Sequence, residues 1–165
     1  MSNFQSFQDA MKVVEKHQQK LPVDVDIIAG ELKIKVYRQE GWPDQLCGKI
    51  IRDGQHGGES GYAIYINQDH SKKRQRFTLA HEIAHYILHR DSVGDGIADD
   101  ALYRSGLSNS QESMANKLAA DILMPWALVN EQIQSGKDTV EKLADAFDVS
   151  TSAMAIRLGI PSQAD

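Results

Sequence analysis

The apolar positions near the start of the chain are spaced as in an amphipathic helix. Four of them recur every three or four residues and would form one buried stripe, with charged side chains outside it: Phe4, Phe7, Met11 and Val14. This helix should end before Leu21-Pro22, because a residue that precedes proline is disfavoured in a helix. A second short helix is predicted over residues 24–32.

Alternating apolar and polar positions then predict a sheet. Residues 33–37 alternate with a period of two, and residues 46–52 and 62–66 are two further strand candidates. A stretch rich in glycine separates the last two and suits a long hairpin loop. The expected result is a small antiparallel sheet, and an extended substrate could add to it along residues 62–66 if that strand forms the edge.

A helical period follows in the middle of the chain. Residues 71–89 place their apolar side chains on one broad face, which predicts a long helix. Residues 91–108 contain glycines and aspartates without a period, which predicts a loop long enough to be functional. Helix should resume at Asn109 or Ser110, either of which could cap it, and should break at Met124-Pro125.

The last predicted helices are separated by a tight turn, in the pattern of a helix-turn-helix. Residues 138–160 contain four acidic and two basic side chains, and the second helix offers only Arg157. Because phosphate contacts supply much of the affinity for DNA, packing or partner docking is favoured over DNA binding. We therefore expect an α+β domain over residues 1–136, with a helical, helix-turn-helix-like unit over residues 137–165 packed on it.

Composition limits the class of protein. A chain of 165 residues that is 41% hydrophobic and 25% charged has the size and balance of one folded domain. A net charge of −5 gives no general attraction to phosphates or anionic lipid. Cys47 is the only cysteine, so neither an internal disulfide nor a thiolate metal cluster can form. No apolar run is long enough to span a membrane, and a cytoplasmic location is expected.

His81, Glu82 and His85 form an HExxH motif within the predicted helix at residues 71–89. Residues four apart lie one turn apart on the same helix face, so both imidazoles can reach one metal ion, while Glu82 on the neighbouring face holds a water molecule. A zinc ion there would lower the pKa of its water to about 7. Glu82 would accept the proton and deliver it to the leaving amine, which is the chemistry of peptide hydrolysis.

A catalytic zinc site needs a third protein ligand, and Glu112 is the best candidate. His89 is too far along the helix to share the ion, because eight residues from His81 correspond to about 12 Å, and it is expected to be a structural histidine or one that supports a ligand. Glu112 would face the motif if its helix packs antiparallel to the first one. Asn116 lies one turn beyond Glu112 and could accept a hydrogen bond from the free N–H of a ligating imidazole.

Two further features of the sequence leave alternatives open. Amide hydrolysis needs a donor that stabilises the tetrahedral intermediate, and the sequence does not choose among Tyr103, Arg104, Tyr86 and His70. Residues 72–76 include four cations near a helix N-terminus, where they oppose the helix dipole. They form either a solvated first turn or a site that requires a carboxylate or phosphate partner.

Two blocks of the sequence resemble the signature blocks of the ImmA/IrrE family of zinc metallopeptidases: residues 76–89, RFTLAHEIAHYILH, and residues 112–125, ESMANKLAADILMP. The resemblance implies a gluzincin-like, zincin-type fold with one zinc ion held by His81, His85 and Glu112, and Glu82 as the base. Family members cleave a helix-turn-helix transcriptional repressor, often encoded nearby. Lys117-Leu118 stands where the family more often has Arg-Phe, and the C-terminal sensory domain of longer members is absent from the 165 residues.

The functional expectation is therefore cleavage of a repressor, which would switch on stress-response or mobile-element genes. One alternative is a non-proteolytic regulator or toxin-antitoxin component that binds a partner protein or DNA through a zincin-shaped module. Another is a general aminopeptidase or housekeeping protease that cleaves short peptides. The sequence determines neither the oligomeric state nor the activating signal.

Overall fold

The computed structural model describes residues 6–92, 97–100 and 107–161, with the backbone alone at residues 97–100. Two capped helices come first, α1 (Phe7–Lys16) and α2 (Val25–Glu31). The hydroxyl of Ser6 accepts a hydrogen bond from the Asp9 backbone N–H, and the Asp24 carboxylate accepts one from the Ile27 N–H, so each helix starts at a side chain that caps it. The predicted stripe on the first helix is only partly correct. Val14 is fully buried, Phe7 is 52% exposed, and Phe4 lies outside the described residues.

Four strands form one sheet in the order β1-β3-β2-β4: β1 (Lys35–Gln39), β2 (Leu46–Arg52), β3 (Tyr62–Asn67) and β4 (Ile97–Asp100). The hairpin of β2 and β3 is antiparallel as expected, but β1 pairs with β3 in parallel, so the sheet is mixed. The strand at residues 62–66 is therefore interior and cannot accept an added strand, because both of its edges are already paired. That interior position also explains why four of the six residues of β3 are apolar or aromatic side chains that are buried.

Part of the predicted loop at residues 91–108 is regular structure. Arg90–Ser92 forms a turn of 3-10 helix, and β4 pairs antiparallel with β2, with Ile50 opposite Ile97. No alternating pattern marks this strand in the sequence. It forms because the outer edge of β2 offers backbone hydrogen-bonding groups that need a partner.

The two longest helices of the described chain are α3 (Lys72–His89) and α4 (Asn109–Leu123). Strand β2 packs directly onto α3, since a Cβ atom added to Gly48 would lie 2.7 Å from the Thr78 methyl carbon. The sequence predicted Asn109 or Ser110 as the N-cap of α4, but the N-cap is Ser108. Its hydroxyl accepts from the Gln111 N–H at 3.1 Å, and the Gln111 side chain accepts from the Ser108 N–H at 3.1 Å.

Three short helices follow: α5 (Trp126–Gln134), α6 (Val140–Phe147) and α7 (Thr151–Arg157). The turn between α6 and α7 passes through Asp148, which has a φ of 53°. Phe147 and Met154 are fully buried and belong to the same hydrophobic cluster as the residues of α3 and α4. None of the helices in the described ranges has the length and apolar character needed to cross a bilayer. The expected α+β class is confirmed.

Candidate metal centre

Three buried side chains converge between α3 and α4. The Nε2 atom of His81 lies 3.2 Å from Oε2 of Glu112, and the Nε2 atom of His85 lies 3.1 Å from Oε1 of the same carboxylate. One ligand atom from each of the three residues lies within 4.8 Å of the other two. His85 is fully buried, and His81 and Glu112 are less than a tenth exposed. The structure therefore brings together the three residues that the sequence nominated as metal ligands.

The antiparallel packing of α3 and α4 produces this convergence. His81 and His85 lie one turn apart in the second half of α3, so their rings project from the same face, with centroids 4.5 Å apart. Glu112 lies in the first turn of α4, where the helix dipole favours a negative charge. The end of α3 thus meets the start of α4, and 26 intervening positions in the sequence do not separate His85 from Glu112 in space.

The donor set fits zinc. Two imidazole nitrogens and a carboxylate oxygen are the ligands of one class of catalytic zinc site. Donor atoms bound at about 2.0–2.2 Å to a tetrahedral ion lie about 3.3–3.6 Å apart. The two measured nitrogen-to-oxygen separations, 3.2 Å and 3.1 Å, are within a few tenths of an ångström of that spacing. Three protein ligands would leave the fourth position of the ion for water or substrate.

Glu82 provides a second carboxylate beside the ligands. It follows His81 directly in α3, and its side chain is fully buried. A carboxylate in such a place is costly to maintain unless its surroundings stabilise the charge, so its burial beside a cluster of metal-binding groups is a mark of function. The position is the one that the HExxH spacing assigns to the residue that handles the proton of a bound water.

His89 holds the ring of His85, a contact that the sequence argument assigned to Asn116. The Nδ1 atoms of His85 and His89 are 3.1 Å apart, so one of them donates a hydrogen bond to the other. Burial lowers the pKa of His89 and the neighbouring His85 lowers it further, which favours the neutral form of its ring. Because Nε2 of His85 faces Glu112, its Nδ1 is the ring atom placed to donate to His89.

Asn116 does not take the predicted position. Its side chain is exposed and makes no hydrogen bond to an imidazole among the residues that the structure describes. The sequence had favoured a structural or supporting role for His89, and the contact with His85 agrees with it, since His85 and His89 have the same four-residue spacing as His81 and His85.

The candidate oxyanion donors remain unassigned. Tyr103 and Arg104 lie outside the described residues. The Nε2 atom of His70 lies 2.7 Å from the backbone carbonyl of Asp44 and thereby holds the turn before β2. Tyr86 is buried, which raises its pKa, and it packs edge-on against Tyr62 with ring centroids 5.3 Å apart.

Two of the four cations in the basic run at residues 72–76 lie beside carboxylates. Arg76 donates to the backbone carbonyls of Val23, Phe147 and Asp148 at 2.9–3.3 Å, and its Nε lies 3.4 Å from the Asp148 carboxylate. Lys73 lies 3.5 Å from the carboxylate of Asp145. Arg76 therefore fastens the turn between α6 and α7 to the first half of α3.

Comparison with known proteins agrees with the fold and shows the family. A family model described as Peptidase_M78, IrrE N-terminal-like domain, matches residues 31–159. Proteins named "Radiation response metalloprotease IrrE" from Deinococcus radiodurans and Deinococcus deserti are 40% and 38% identical over 107 and 109 residues. Each alignment covers 62% of this chain but only 32% and 38% of the relative, so the chain spans about a third of the length of these relatives.

A solved structure titled "Mycobacterium tuberculosis transcriptional regulator" has the same fold. It aligns with a TM-score of 0.60 over 91% of this chain and 46% of its own chain. The two sequences are 16% identical in that alignment, and this likeness shows the shared fold alone.

Proposed function

The chain belongs to the Peptidase_M78 family, the IrrE N-terminal-like domains, and on that basis we propose that it is a zinc-dependent endopeptidase whose substrate is a helix-turn-helix transcriptional repressor. The observation that carries the proposal is the convergence of His81, His85 and Glu112 beside the buried carboxylate of Glu82. A structural zinc site would use all four positions of the ion, whereas three protein ligands leave one for chemistry.

The residues of this chain divide the work of hydrolysis. When bound by His81, His85 and Glu112, zinc supplies an acidified water and a Lewis acid for the scissile carbonyl. Glu82 accepts a proton from the attacking water on one carboxylate oxygen and donates it to the nitrogen of the leaving amine. His89 keeps the ring of His85 in one orientation through the contact between their Nδ1 atoms.

Support for a repressor as the substrate comes from the resemblance to the ImmA/IrrE family and from the names of the relatives. The two Deinococcus proteins are named radiation response metalloproteases. A protease that acts in a response requires a selective substrate, because general proteolysis would damage the cell. A helix-turn-helix repressor is such a substrate, since its cleavage changes transcription at once.

Binding of DNA by the chain itself is disfavoured by the contacts of its last helix. Arg157 is the only cation of α7. Its guanidinium lies 2.8 Å from the Asp121 carboxylate, donates to the carbonyl of Met124 at 3.0 Å and stacks over the ring of Trp126. It is thus engaged within the fold and does not offer a phosphate contact.

The test compares wild type with Glu82→Gln on a purified repressor encoded beside the gene. Wild type loaded with zinc should release defined fragments, and Glu82→Gln should be slower by about 10²-fold or more because proton transfer is lost. Calorimetric titration should show that the variant still binds zinc. Glu59→Gln, which removes an exposed carboxylate of the hairpin loop, is the matched control and should cleave like wild type.

The outcomes separate the candidate functions. If wild type and Glu82→Gln cleave at the same rate, the peptidase proposal fails. Turnover of short peptides without any cleavage of folded repressors would favour a general peptidase instead. Salt-sensitive binding of a DNA duplex by zinc-loaded protein that cleaves neither substrate would favour the non-proteolytic regulator.

A further inference from the structure

A cleft of about 810 Å³ opens beside the metal centre, between α3, α4 and α7. The apolar part of its lining, called the floor below, comes from each of these helices and from the turn before α7: Phe77, Ala120, Val149, Ala153 and Ile156. Ile156 is 78% exposed, the largest exposed fraction among the large hydrophobic side chains of the described residues. An apolar side chain from another molecule would therefore find apolar contacts here.

The cleft begins about one helical turn from the candidate metal centre on both helices. Thr78 lines it and precedes His81 by three residues on α3, and Asn116 lines it and follows Glu112 by four residues on α4. Each step is about one helical turn, or about 5 Å along the axis. A polypeptide whose scissile bond lies at the metal centre would thus reach the cleft within a few residues.

The charge of the cleft is opposite to that of the whole chain. Four cations line it and no carboxylate does: Lys73, Arg74, Lys117 and Arg157. The chain carries a net charge of −5, so this concentration of positive charge is local. Two of the cations are paired, Lys73 with Asp145 at 3.5 Å and Arg157 with Asp121 at 2.8 Å.

The other two cations have no carboxylate partner within the described part of the chain. Arg74 and Lys117 are both exposed. Among the described residues, the Arg74 guanidinium donates one side-chain hydrogen bond, to Sγ of Cys47 at 3.6 Å. These cations are available to a ligand that carries negative charge, and a positively charged cleft also raises the local concentration of such a ligand.

We propose that this cleft is a docking subsite for an acidic, amphipathic segment of the protein substrate. One or two apolar side chains of the segment lie on the floor, and flanking carboxylates pair with Arg74 and Lys117. The inference rests on the proposed proteolytic function, because it names the segment that the substrate must carry near its cleaved bond. It also accounts for selectivity, since a protein without such a segment would gain nothing from the cleft.

A peptide fits these features better than a nucleic acid does. Phosphate recognition requires cations in register with a backbone and gains little from an apolar floor. Here the apolar side chains form the floor, and the unpaired cations Arg74 and Lys117 accompany it. Apolar anchors with charged flanks are characteristic of amphipathic peptide segments that dock into grooves.

The experiment measures binding with cleavage switched off. Zinc-loaded Glu82→Gln is titrated into a fluorescent peptide in which leucines alternate with pairs of glutamates, and into the same peptide with lysines in place of the glutamates. The acidic peptide should bind about tenfold more tightly or better, and the preference should shrink as salt is added. The Arg74→Glu, Lys117→Glu double variant should lose about tenfold in affinity for it. Lys12→Glu, an exposed cation outside the cleft, makes the same charge change and should leave the dissociation constant unchanged.

Cys47 provides a second readout that does not depend on activity. It is the only cysteine, it is partly exposed and it lines the cleft. The acidic peptide should slow its alkylation by iodoacetamide severalfold, whereas the lysine peptide should not. If a Glu substitution at Arg74 or Lys117 prevents folding, Gln at the same positions removes the charge alone and should still weaken binding about threefold.

The outcomes distinguish this inference from the proposed function. Equal binding of the two peptides, or unchanged affinity in the double variant, overturns the docking subsite even if wild type cleaves a repressor. If the acidic peptide binds selectively and protects Cys47 but wild type cleaves nothing, the docking subsite is supported and the proposed protease activity is refuted. A DNA duplex that competes with the acidic peptide and protects Cys47 would mean that the cations bind phosphate, and would also overturn the proposal.

Discussion

The two unequal halves of α3, a shorter one over residues 72–77 and a longer one over residues 78–89, perform different tasks on one continuous helix. From Thr78 onwards every residue except Leu88 is buried, and this half carries both imidazoles and the Glu82 carboxylate. None of residues 72–77 is buried, and this half carries the cations. Burial strengthens electrostatic interactions and excludes water, which suits metal chemistry, while exposure leaves charged groups available to other segments. The candidate metal-binding groups therefore lie on the buried part of this helix, and the cations that contact other segments lie on the part nearer the surface.

The two halves also differ in the sequence separation between the residues that interact. The ligand pair His81 and His85 is local, since four residues on a helix suffice to bring two side chains together. Arg76 instead contacts carbonyls 53, 71 and 72 positions away in the sequence. The difference suggests substitutions that should damage one half and leave the other intact.

The largest effect is expected in the buried half. His85→Ala removes one ligand and should weaken zinc binding by at least about 10²-fold, as measured by calorimetric titration. Wild type at a free zinc concentration of about 100 times its Kd should gain about 3 kcal/mol in the free energy of unfolding, and the variant should gain almost none. His56→Ala, which removes an exposed histidine of the hairpin loop, should retain the full gain. A normal zinc-induced rise in the Tm of His85→Ala would refute the ligand assignment.

A smaller effect is expected in the half that carries the cations. Arg76→Ala removes three hydrogen bonds from a side chain that is only 12% exposed, and should lower the free energy of unfolding measured by urea denaturation by about 2 kcal/mol. Arg76→Lys retains the charge but not the planar set of donors, so it should recover only part of this loss. The zinc Kd of the refolded variants should equal that of wild type. A large change in the zinc Kd would show that the two halves of α3 are coupled.

The smallest effect concerns the ion pair of Lys73 and Asp145. Both side chains are well exposed, at 38% and 82%, so solvent screens their interaction. Lys73→Ala should change the free energy of unfolding by no more than about 0.5 kcal/mol, and a double-mutant cycle with Asp145→Ala should return a coupling of similar size. A coupling above about 2 kcal/mol would mean that this pair, and not Arg76 alone, fastens α6 to α3.

The sequence predicted the elements whose signals are local. The bounds of β2 were predicted without error, and those of α3 to within one residue, because alternation and helical spacing depend only on neighbouring positions. The prediction that Glu112 faces the HExxH motif came from donor chemistry together with an assumed antiparallel packing, and the structure has both. The prediction for Asn116 failed because a shared helix face does not determine which neighbour a side chain meets.

The missed features depend on partners that are distant in the sequence. Strand β4 forms on the free edge of β2, and the parallel pairing of β1 follows from which edge of β3 is left after the hairpin closes. Neither partner edge appears in the pattern of the segment itself. The run of cations can be seen in the sequence, but the different roles of its members cannot. Arg76 attaches the turn between α6 and α7, whereas Arg74 lines the cleft, and only the positions of α4, α6 and α7 show this.

The sequence alone determined the metal-binding chemistry, because an HExxH motif on a helix sets the spacing of two imidazoles and a carboxylate through backbone geometry. It also excluded a metal site built from several thiolates, since the chain has one cysteine. The tertiary structure alone decided that His89 supports His85, that β3 is closed to an added strand, and that a positively charged, apolar cleft adjoins the metal centre of an acidic protein. The physical reason is that local spacing is encoded in neighbouring residues, whereas contacts across the core arise from the packing of segments that the sequence keeps far apart.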